Sequence, residues 1–436
     1  MSSTAIRCRN WSGSARFTPR KIFAPSSEQE ILAVIARARS ELATLRVVGG
    51  GHSFSPLVAT NDLLMTLDGY QGLVSADPQS GLVTLRGGTR LWQIADLLRP
   101  YGLALAVMGD IDRQSIAGAI QTGTHGTGAE FTGFAGTVRG IRIALSDGSV
   151  VDASAERERD LFEAARLGLG AIGVILEVTL QCVSAYRLHL VESTEDIDAT
   201  AASFIEDAAR IDHHEFFWFP GTPRATVRST RRVGQGTERM RQHPWIEGFQ
   251  REVLGNGVFG AMCQAAAVLP PLRGPVAHIA SHALTGAPMI DDSPRVYAAP
   301  RRVRFHESEW AIPAGRFEEA FAALRRRFEQ EQVRVTFPLE VRRVSADDVW
   351  MSTAYERESV YIAAHCHHWE DPGPYLLLVQ RTLEAFEARP HWGKMHWLGR
   401  RELEKLYPRF GDFTAVREQA DPDGMLLTPY LRHLLV

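Results

Sequence analysis

The stretch RVVGGGHSFSP, Arg46–Pro56, places three glycines and a histidine directly after a short run that ends in two valines. Valine favours extended backbone, so we expect a strand over Leu45–Val48 that ends at the glycines. Glycine lets successive N–H groups turn together into a concave nest, which suits phosphate oxygens. The loop therefore predicts a phosphate-bearing cofactor, with His52 in contact with its ring or bonded to it.

A second glycine loop, SIAGAIQTGTHGTG, covers Ser115–Gly128. A single loop of this kind is more often a structural turn, whereas two loops in one domain can hold both phosphates of a dinucleotide. No Walker lysine follows either loop, which argues against a nucleoside triphosphatase. Hydroxyl groups that can donate to phosphate oxygens accompany the loops at Ser53, Ser115, Thr122 and Thr124.

A third glycine stretch, GLGAIG at Gly168–Gly173, matches the dinucleotide fingerprint GxGxxG. That fingerprint requires a strand before the glycines and a helix after them. Here a helical pattern precedes the glycines and a strand pattern follows them. We therefore interpret the stretch as a turn between helix and strand, against which a cofactor can still lie.

Length and composition restrict the class of protein. The chain has 436 residues, which favours two domains, and its net charge of -3 gives no sign of nucleic-acid binding. Its four cysteines are scattered without a CxxC pair, which favours a reducing compartment. There is no apolar signal-peptide core and no apolar run of about 20 residues, so we expect a cytoplasmic protein without a membrane segment.

The order of the predicted elements favours an α+β fold, because hairpins and helices alternate without a run of βαβ units. Near Val183 the glycine loops stop, and aromatic residues, arginine and proline become common. We predict a first domain over residues 1–182, a second over 183–400, and a tail over 401–436 that packs back on the first. Within the second domain, the basic stretch RSTRRVGQGTERMRQ (228–242) is interpreted as an exposed loop.

Charged and histidine residues in the second half are ambiguous by themselves. Glu340 and Arg342 alternate on a predicted strand and so share a face, as a surface ion pair or as part of a site. Lys394, in HWGK, is either an exposed turn lysine or a member of that site. The histidines of AAHCHHWED (363–371) lack a third ligand at a compelling spacing, so no metal is predicted.

These motifs, taken in order, resemble a known family. VVGGGHSFSP, GDIDRQSIAGAIQTGTHGTG and LGLGAIGVILEVTL are similar to the vanillyl-alcohol-oxidase-type flavoproteins. FPLEVRRV, ARPHWGKMHWL and DPDGMLLTPYL narrow the resemblance to the aldonolactone oxidase and alditol oxidase family, which includes the D-arabinono-1,4-lactone and L-gulono-1,4-lactone oxidases. The resemblance covers nearly the whole chain. It implies an FAD-binding domain of two α+β subdomains, an α+β cap domain over the flavin, and a tail that returns to the FAD domain.

The resemblance also implies how FAD is held. His52 stands where relatives attach the flavin 8α carbon covalently, so a single covalent link is expected. His391 is expected close to the cofactor. The residues assigned to the cofactor are Val48, Gly49, Gly50, Gly51, His52, Ser53, Asp110, Ser115, Gly118, Thr122, Gly123, Thr124, His125, Gly173, Val174 and His391.

For the substrate, the resemblance implies that Glu340, Arg342 and Lys394 are the catalytic residues. Lys394 either stabilises the reduced flavin ring electrostatically or, with a lowered pKa, acts as a base. Asp110 stands where alditol-oxidising relatives carry serine, which favours a lactone. The residues assigned to the substrate are Asp110, Glu307, Glu340, Arg342, His367 and Lys394.

The expected function is oxidation of a carbinol of a sugar-derived aldonolactone. Gly109 leaves space for oxygen beside the flavin, so we expect O2 to be the acceptor and hydrogen peroxide the product. An alditol oxidase is one alternative, and a dehydrogenase that uses a non-oxygen acceptor is another. A flavin-binding protein without catalysis is disfavoured, because the set of Glu340, Arg342 and Lys394 is intact.

Overall fold

The computed structural model describes residues 6–242, 257–283, 285–298 and 302–436. Its helices and sheets confirm the predicted α+β class. The helices are α1 (Glu28–Ser40), α2 (Leu91–Leu98), α3 (Ile116–Gln121), α4 (Arg159–Arg166), α5 (Ile197–Arg210), α6 (Phe259–Val268), α7 (Arg273–Ala283), α8 (Ser293–Tyr297), α9 (Phe317–Gln330), α10 (Pro372–Leu383), α11 (Arg400–Leu406), α12 (Phe410–Ala420) and α13 (Pro429–Leu435).

A small parallel sheet carries the first glycine loop. Its order is β3 (Lys21–Phe23), β5 (Leu63–Thr66) and β4 (Leu45–Val48), so the predicted strand before the glycines is present. Helix α1 begins at the cap Ser27 and buries the apolar face that its periodicity predicts. Because β4 ends at Val48, the chain enters the GGGHS loop at one edge of this sheet.

A five-stranded antiparallel sheet forms the second layer of the N-terminal half. The order is β10 (Val150–Ser154), β9 (Val138–Ala144), β11 (Val174–Gln181), β7 (Leu82–Arg86) and β6 (Leu73–Ala76). The glycines of GLGAIG lie between helix α4 and strand β11. This order is the reverse of a dinucleotide fingerprint, as the sequence predicts.

An eight-stranded antiparallel sheet makes up most of the second half. The order is β16 (Met289–Asp292), β13 (Arg187–Asp196), β15 (Arg224–Val233), β14 (His213–Trp218), β18 (Leu339–Val344), β19 (Ser359–His367), β17 (Phe305–Pro313) and β20 (Arg389–Pro390). Strand β15 contains Arg228–Val233, so the prediction of an exposed loop is wrong for this part of the basic stretch. Residues 228–233 pair with β13, and residues 228–230 also pair with β14 on the other side.

The last residues pack against the N-terminal sheet. Met425 and Leu426 are buried in the same core cluster as α1 and the parallel strands. The guanidinium of Arg46 is buried and donates to the carbonyl oxygens of Gly170, Leu169 and Leu426, at 2.7, 2.8 and 2.5 Å. Arg46 thereby ties the chain's C-terminal segment to the glycine turn between α4 and β11.

Two further short strand pairs complete the sheets of the described residues: β1 (Cys8–Arg9) with β2 (Arg16–Phe17), and β8 (Leu103–Ala104) with β12 (Val183–Ser184). Within the described part of the chain, every helix is too short or too polar to cross a membrane.

Candidate active site

The glycine loops meet in one cleft of about 1090 Å³. The turn between α4 and β11 closes it through Gly170 and Gly173. Residues assigned to the cofactor that line this cleft are Val48, Gly49, Gly50, Gly51, His52, Ser53, Ser115, Gly118, Thr122, Gly173 and Val174.

Two glycines show why the cleft needs this residue type. A Cβ atom on Gly49 would overlap the hydroxyl oxygen of Ser115, which caps helix α3 by accepting from the N–H of Gly118 at 3.2 Å. Gly51 has a φ of +67°, which favours glycine. The two loops therefore approach each other at backbone distance and leave a cradle that larger side chains would fill.

His52 lies at the end of this cradle. Its Nδ1 is buried without a hydrogen-bond partner among the described residues. Burial, followed by the positive charge of Lys394, lowers the pKa of His52 to about 4. The ring is therefore neutral near pH 7 and holds a buried nitrogen lone pair, which is what covalent attachment to an electrophilic carbon requires.

A second pocket of about 510 Å³ adjoins the cleft, because His52, Ser53, Gln114 and Thr122 line both. The remaining lining residues come from the second glycine loop, the segment just before it, strands β17 and β18, the HWGK loop, and Phe54. Among the sequence-predicted positions, these are Gly109, Asp110, Thr124, His125, Arg342, His391 and Lys394.

Main-chain bonds hold the HWGK loop against the GGGHS loop. The N–H of Phe54 donates to the carbonyl oxygen of Gly393 at 2.6 Å, and the hydroxyl of Ser55 donates to that of Trp392 at 3.0 Å. On the other side, the N–H of His391 donates to the carbonyl oxygen of Glu309 at 2.9 Å. Lys394 is thus fixed between the GGGHS loop and strand β17.

Lys394 is mostly buried and paired with carboxylates. Its Nζ lies 2.5 Å from Glu307 Oε1 and 3.9 Å from Glu309 Oε2. Burial alone would lower the pKa of Lys394, but the charges of Glu307 and then Glu309 raise it above its ordinary value. This direction opposes the alternative of a neutral lysine base and favours a fixed ammonium. Glu307 itself contacts the lysine.

Arg342 lies at the other side of the pocket. Glu340 and Arg342 form an ion pair in which the residues are 5% and 9% exposed, so the surface-pair alternative is wrong. The Nε of Arg342 donates to Glu215 Oε2 at 2.9 Å, and its Nη2 lies 3.9 Å from Asp110. A permanently charged guanidinium is therefore surrounded by three carboxylates at the pocket wall.

A buried cluster lies between these two cations. Ligand atoms of His125, Glu309 and His391 all lie within 4.8 Å of one another, which is close enough for a metal ion. However, the N–H of Gly393 donates to His391 Nδ1 at 3.0 Å, and burial lowers the pKa of His391 to about 3. The neutral ring then carries its proton on Nε2 and has no free lone pair, so the geometry favours a hydrogen-bonded cluster over a metal centre.

Comparison with known proteins assigns the family. A model described as D-arabinono-1,4-lactone oxidase matches residues 178–434, and one described as FAD binding domain matches residues 19–154. The chain belongs to the D-arabinono-1,4-lactone oxidase family. The predicted family is confirmed, and the chain is an FAD-dependent oxidoreductase.

Curated relatives of this family match along the whole chain. L-gulono-1,4-lactone dehydrogenase of Mycobacterium tuberculosis is 34% identical, over 98% of each chain. L-gulonolactone oxidase of Scyliorhinus torazame is 29% identical, over 97% of this chain and 96% of the relative. Alditol oxidase of a Streptomyces species is 28% identical, over 99% of each.

Solved structures agree on the fold. Cholesterol oxidase from B. sterolicum superposes with a TM-score of 0.80 at 15% identity, over 99% of this chain and 97% of that one. At this identity the likeness shows the fold alone, and together with the FAD binding domain matched over residues 19–154 it confirms the predicted fold.

The residues present fit FAD in this family member. The cleft offers a glycine cradle, hydroxyl donors and a buried, unpartnered His52 Nδ1 where the cleft meets the pocket. Among the predicted cofactor residues, Gly123 lines neither the cleft nor the pocket, although its φ of +75° shapes the second loop.

Three predicted substrate positions do not line this pocket. Glu340 and Glu307 contact the lining residues Arg342 and Lys394, whereas His367 lies apart. His367 lines a separate pocket, together with His368, several residues between 257 and 264, and residues 302–304. The proposed substrate site therefore does not include His367. Strand β19 instead turns His365 toward Glu307, with its Nε2 at 3.5 Å from Glu307 Oε1. The antiparallel register explains the difference, because Glu307 is opposite His365 whereas His367 is opposite Phe305.

Sequence reasoning missed three residues of the site. Glu215 accepts a hydrogen bond from Arg342. Glu309 contacts His125, with Glu309 Oε1 3.1 Å from His125 Nε2. Gln114 lines both cavities and donates to Thr124 Oγ1 at 2.9 Å. A buried acid in an apolar strand, as in FHESEWAIP, is the signal that could have pointed to Glu309.

Proposed function

We propose that this protein oxidises a CH–OH carbon of a sugar-derived aldono-1,4-lactone of the L-gulono or D-arabinono type. One observation carries the proposal: His52, from the cofactor cleft, lines the same pocket as Arg342 and Lys394. Bound FAD would supply the ring that accepts the hydride. The names of the relatives, which include gulonolactone and arabinonolactone oxidases, support this substrate class.

We further propose that FAD is attached through His52. The support is a neutral ring whose buried Nδ1 has no hydrogen-bond partner among the described residues, at the junction of cleft and pocket. The glycine loops, with Ser53, Ser115 and Thr122, would hold the phosphates.

In this proposal, each charged residue has a separate task. Arg342 donates to substrate oxygens, and Glu340 and Asp110 accept from substrate hydroxyls. Lys394 keeps its proton on Nζ, because Glu307 is 2.5 Å away, and so presents a fixed positive charge where negative charge develops on the ring system. Because both cations are already paired with carboxylates, the pocket suits a neutral lactone better than an aldonate anion.

The electron acceptor in our proposal is O2, which gives hydrogen peroxide. The support is Gly109, which lines the pocket without a side chain. A dehydrogenase using another acceptor is the second candidate, favoured by the 34% identical relative of that name. An alditol substrate is the third, favoured by the Streptomyces relative, although Asp110 inclines us to the lactone.

The remaining proposals concern organisation and location. We propose an FAD-binding domain over residues 1–182, a cap domain over 183–400, and a segment over 401–436 that returns to the FAD domain. We also propose a cytoplasmic location, supported by four unpaired cysteines, of which Cys182, Cys263 and Cys366 are buried.

Aerobic assays with purified protein test this function. Sugar lactones and alditols are screened for peroxide, and in parallel for reduction of an artificial dye. Peroxide from lactones supports the main proposal, dye reduction without peroxide supports the dehydrogenase, and turnover of alditols alone supports the alditol oxidase. No turnover of either substrate class rejects all three.

A further inference from the structure

Four charged residues form one row across the eight-stranded sheet. The register places Glu192 opposite Arg228, Arg228 opposite Glu215, and Glu215 opposite Arg342. Directly opposed residues on adjacent strands project to the same face, so their side chains meet. The row alternates in sign and ends at Arg342, in the pocket.

Hydrogen bonds connect the members of this row. The Nε of Arg228 donates to Glu192 Oε1 at 2.8 Å, and its Nη1 donates to Glu215 Oε1 at 3.1 Å. The other carboxylate oxygen of Glu215 accepts from Arg342 Nε at 2.9 Å. Glu215 is thus held at both oxygens. Although burial alone would raise the pKa of Glu215, Arg342 and Arg228 lower it, so the group stays ionised.

This arrangement fixes the orientation of the Arg342 guanidinium. Glu215 engages Nε, and Glu340 engages Nη2. Two engaged nitrogens define the plane of a rigid, planar group and therefore the direction of its donors. Glu340 alone would leave the group free to rotate about that contact.

The row is partly open to solvent at Arg228, its second member. The side chain of Arg228 is 34% exposed, and the N–H of Gly286 donates to Glu192 Oε2 at 2.6 Å. Arg228 does not line the pocket. A change at Arg228 therefore reaches the pocket indirectly, through its hydrogen bond to Glu215 and through its charge acting on Glu340.

We propose that Glu215 and Arg228 are positioning residues, which fix the guanidinium of Arg342 so that it meets substrate oxygens in the reactive geometry. The inference rests on the proposed function. The buried carboxylate of Glu215 and the partly exposed guanidinium of Arg228 would influence the reaction rate without contacting the reacting atoms.

The test compares four variants of the holoenzyme with L-gulono-1,4-lactone. Glu215→Gln should lower kcat/KM about 100-fold, mainly through kcat, because small misplacements of a positioning group cost about this much. Arg228→Gln should lower it about tenfold, and Glu215→Asp, which keeps the charge, should recover part of the loss. Glu358→Gln is the matched control.

The control removes a carboxylate that accepts from Arg343 at 2.8 Å, next to Arg342 on the same strand but on the opposite face. It should change kcat/KM less than about twofold. If Glu215→Gln has no larger effect than this control, or if Glu215→Asp recovers nothing, the role is structural and the proposal is overturned.

Crystal structures of the variants give a readout that needs no substrate. In Glu215→Gln, the guanidinium of Arg342 should be displaced or disordered relative to Asp110 and Glu340. An unmoved guanidinium overturns the inference, even if the wild type oxidises no lactone and the proposed function has failed separately. If Glu215→Gln does not fold, the partly exposed Arg228→Gln decides by the same structural comparison.

Discussion

The ring of His52 stacks on the ring of Trp11, with centroids 5.8 Å apart and planes 29° from parallel. The N–H of Trp11 also donates to the carbonyl oxygen of Gly51 at 2.8 Å. These two contacts restrain the imidazole ring, whose buried Nδ1 has no hydrogen-bond partner among the described residues. A preoriented, neutral nucleophile is the condition for a covalent flavin bond.

Replacing His52 tests that bond. His52→Ala should abolish covalent attachment because, among the described residues, no other imidazole and no thiol lines the cleft. After acid precipitation, the wild-type pellet should stay yellow, and the variant should release its colour to the supernatant. Ser53→Ala, in the same loop, should leave the pellet yellow. Colour that leaves with the wild-type supernatant rejects the covalent link.

Glu307 should control the ionisation of Lys394. Because the pKa of Lys394 is raised, the lysine stays protonated in the wild type up to about pH 10, and the flavin-reduction rate should show no alkaline decline below that pH. In Glu307→Gln the burial that lowers the pKa is no longer offset by its nearest carboxylate. The variant should therefore acquire an alkaline decline below about pH 10.

The same pair contributes to stability in a defined pH range. The pKa of Glu307 is lowered to about 2, so its contribution is present above its ordinary value and lost as the pH falls toward 2. The pKa of Lys394 is raised, so the contribution of the lysine to stability is lost only as the pH rises above the ordinary pKa of a lysine. An identical pH–rate profile in the wild type and in Glu307→Gln contradicts this account of the pair.

Gly109 should control the reaction of the reduced enzyme with oxygen. A Cβ on Gly109 would lie 3.1 Å from the carbonyl oxygen of His125 and 3.7 Å from Thr124 Cγ2, which is tight but tolerable. In stopped-flow reoxidation, Gly109→Ala should be slower by about tenfold, equivalent to about 1.4 kcal/mol. Gly315→Ala, where a Cβ meets nothing within 4 Å, is the control. Slow reoxidation of the wild type itself would favour the dehydrogenase.

Arg46 should stabilise the return of the C-terminal segment. Arg46→Met leaves three carbonyl oxygens without their donor, so the free energy of unfolding should fall by about 2–4 kcal/mol. Arg39→Met is the matched control, because Arg39 donates to the carbonyl oxygen of Asp147 at an exposed site and should cost at most about 0.5 kcal/mol. Urea unfolding measures both, and equal losses would contradict the assigned role.

Local sequence patterns were sufficient to predict the cofactor loops and the shared strand face of Glu340 and Arg342. The valines before the glycines favour a strand and the glycines end it, so the local sequence is enough to predict a strand followed by the GGGHS loop. Glu340 and Arg342 share a face because strand residues alternate. Burial of these two residues is what distinguishes a site from a surface ion pair. That burial depends on the pairing of β18 with β14 and β19, which no local sequence pattern predicts.

Residues that reach the site only through the pairing of strands distant in the chain could not be predicted from the sequence. Glu215 is 125 residues before Glu340 along the chain and reaches Arg342 only because β14 pairs with β18 in one register. A shift of one residue would turn it to the other face. His367 shows the converse, since it shares a strand face with His365 but lies two residue pairs further along the β17–β19 ladder, opposite Phe305. The prediction of an exposed loop was wrong around Arg228 because residues 228–233 pair with β13, and Arg228 forms ion pairs with Glu192 and Glu215 on neighbouring strands.

Anaerobic mixing of the purified protein with L-gulono-1,4-lactone tests the central claim most directly. We predict rapid loss of the visible flavin absorbance in the wild type, and a loss at least about 100-fold slower in Arg342→Ala and in Lys394→Met, both still loaded with FAD. A wild-type flavin that no sugar lactone reduces, or an unchanged rate in both variants, would contradict the assignment of this pocket as the site of lactone oxidation.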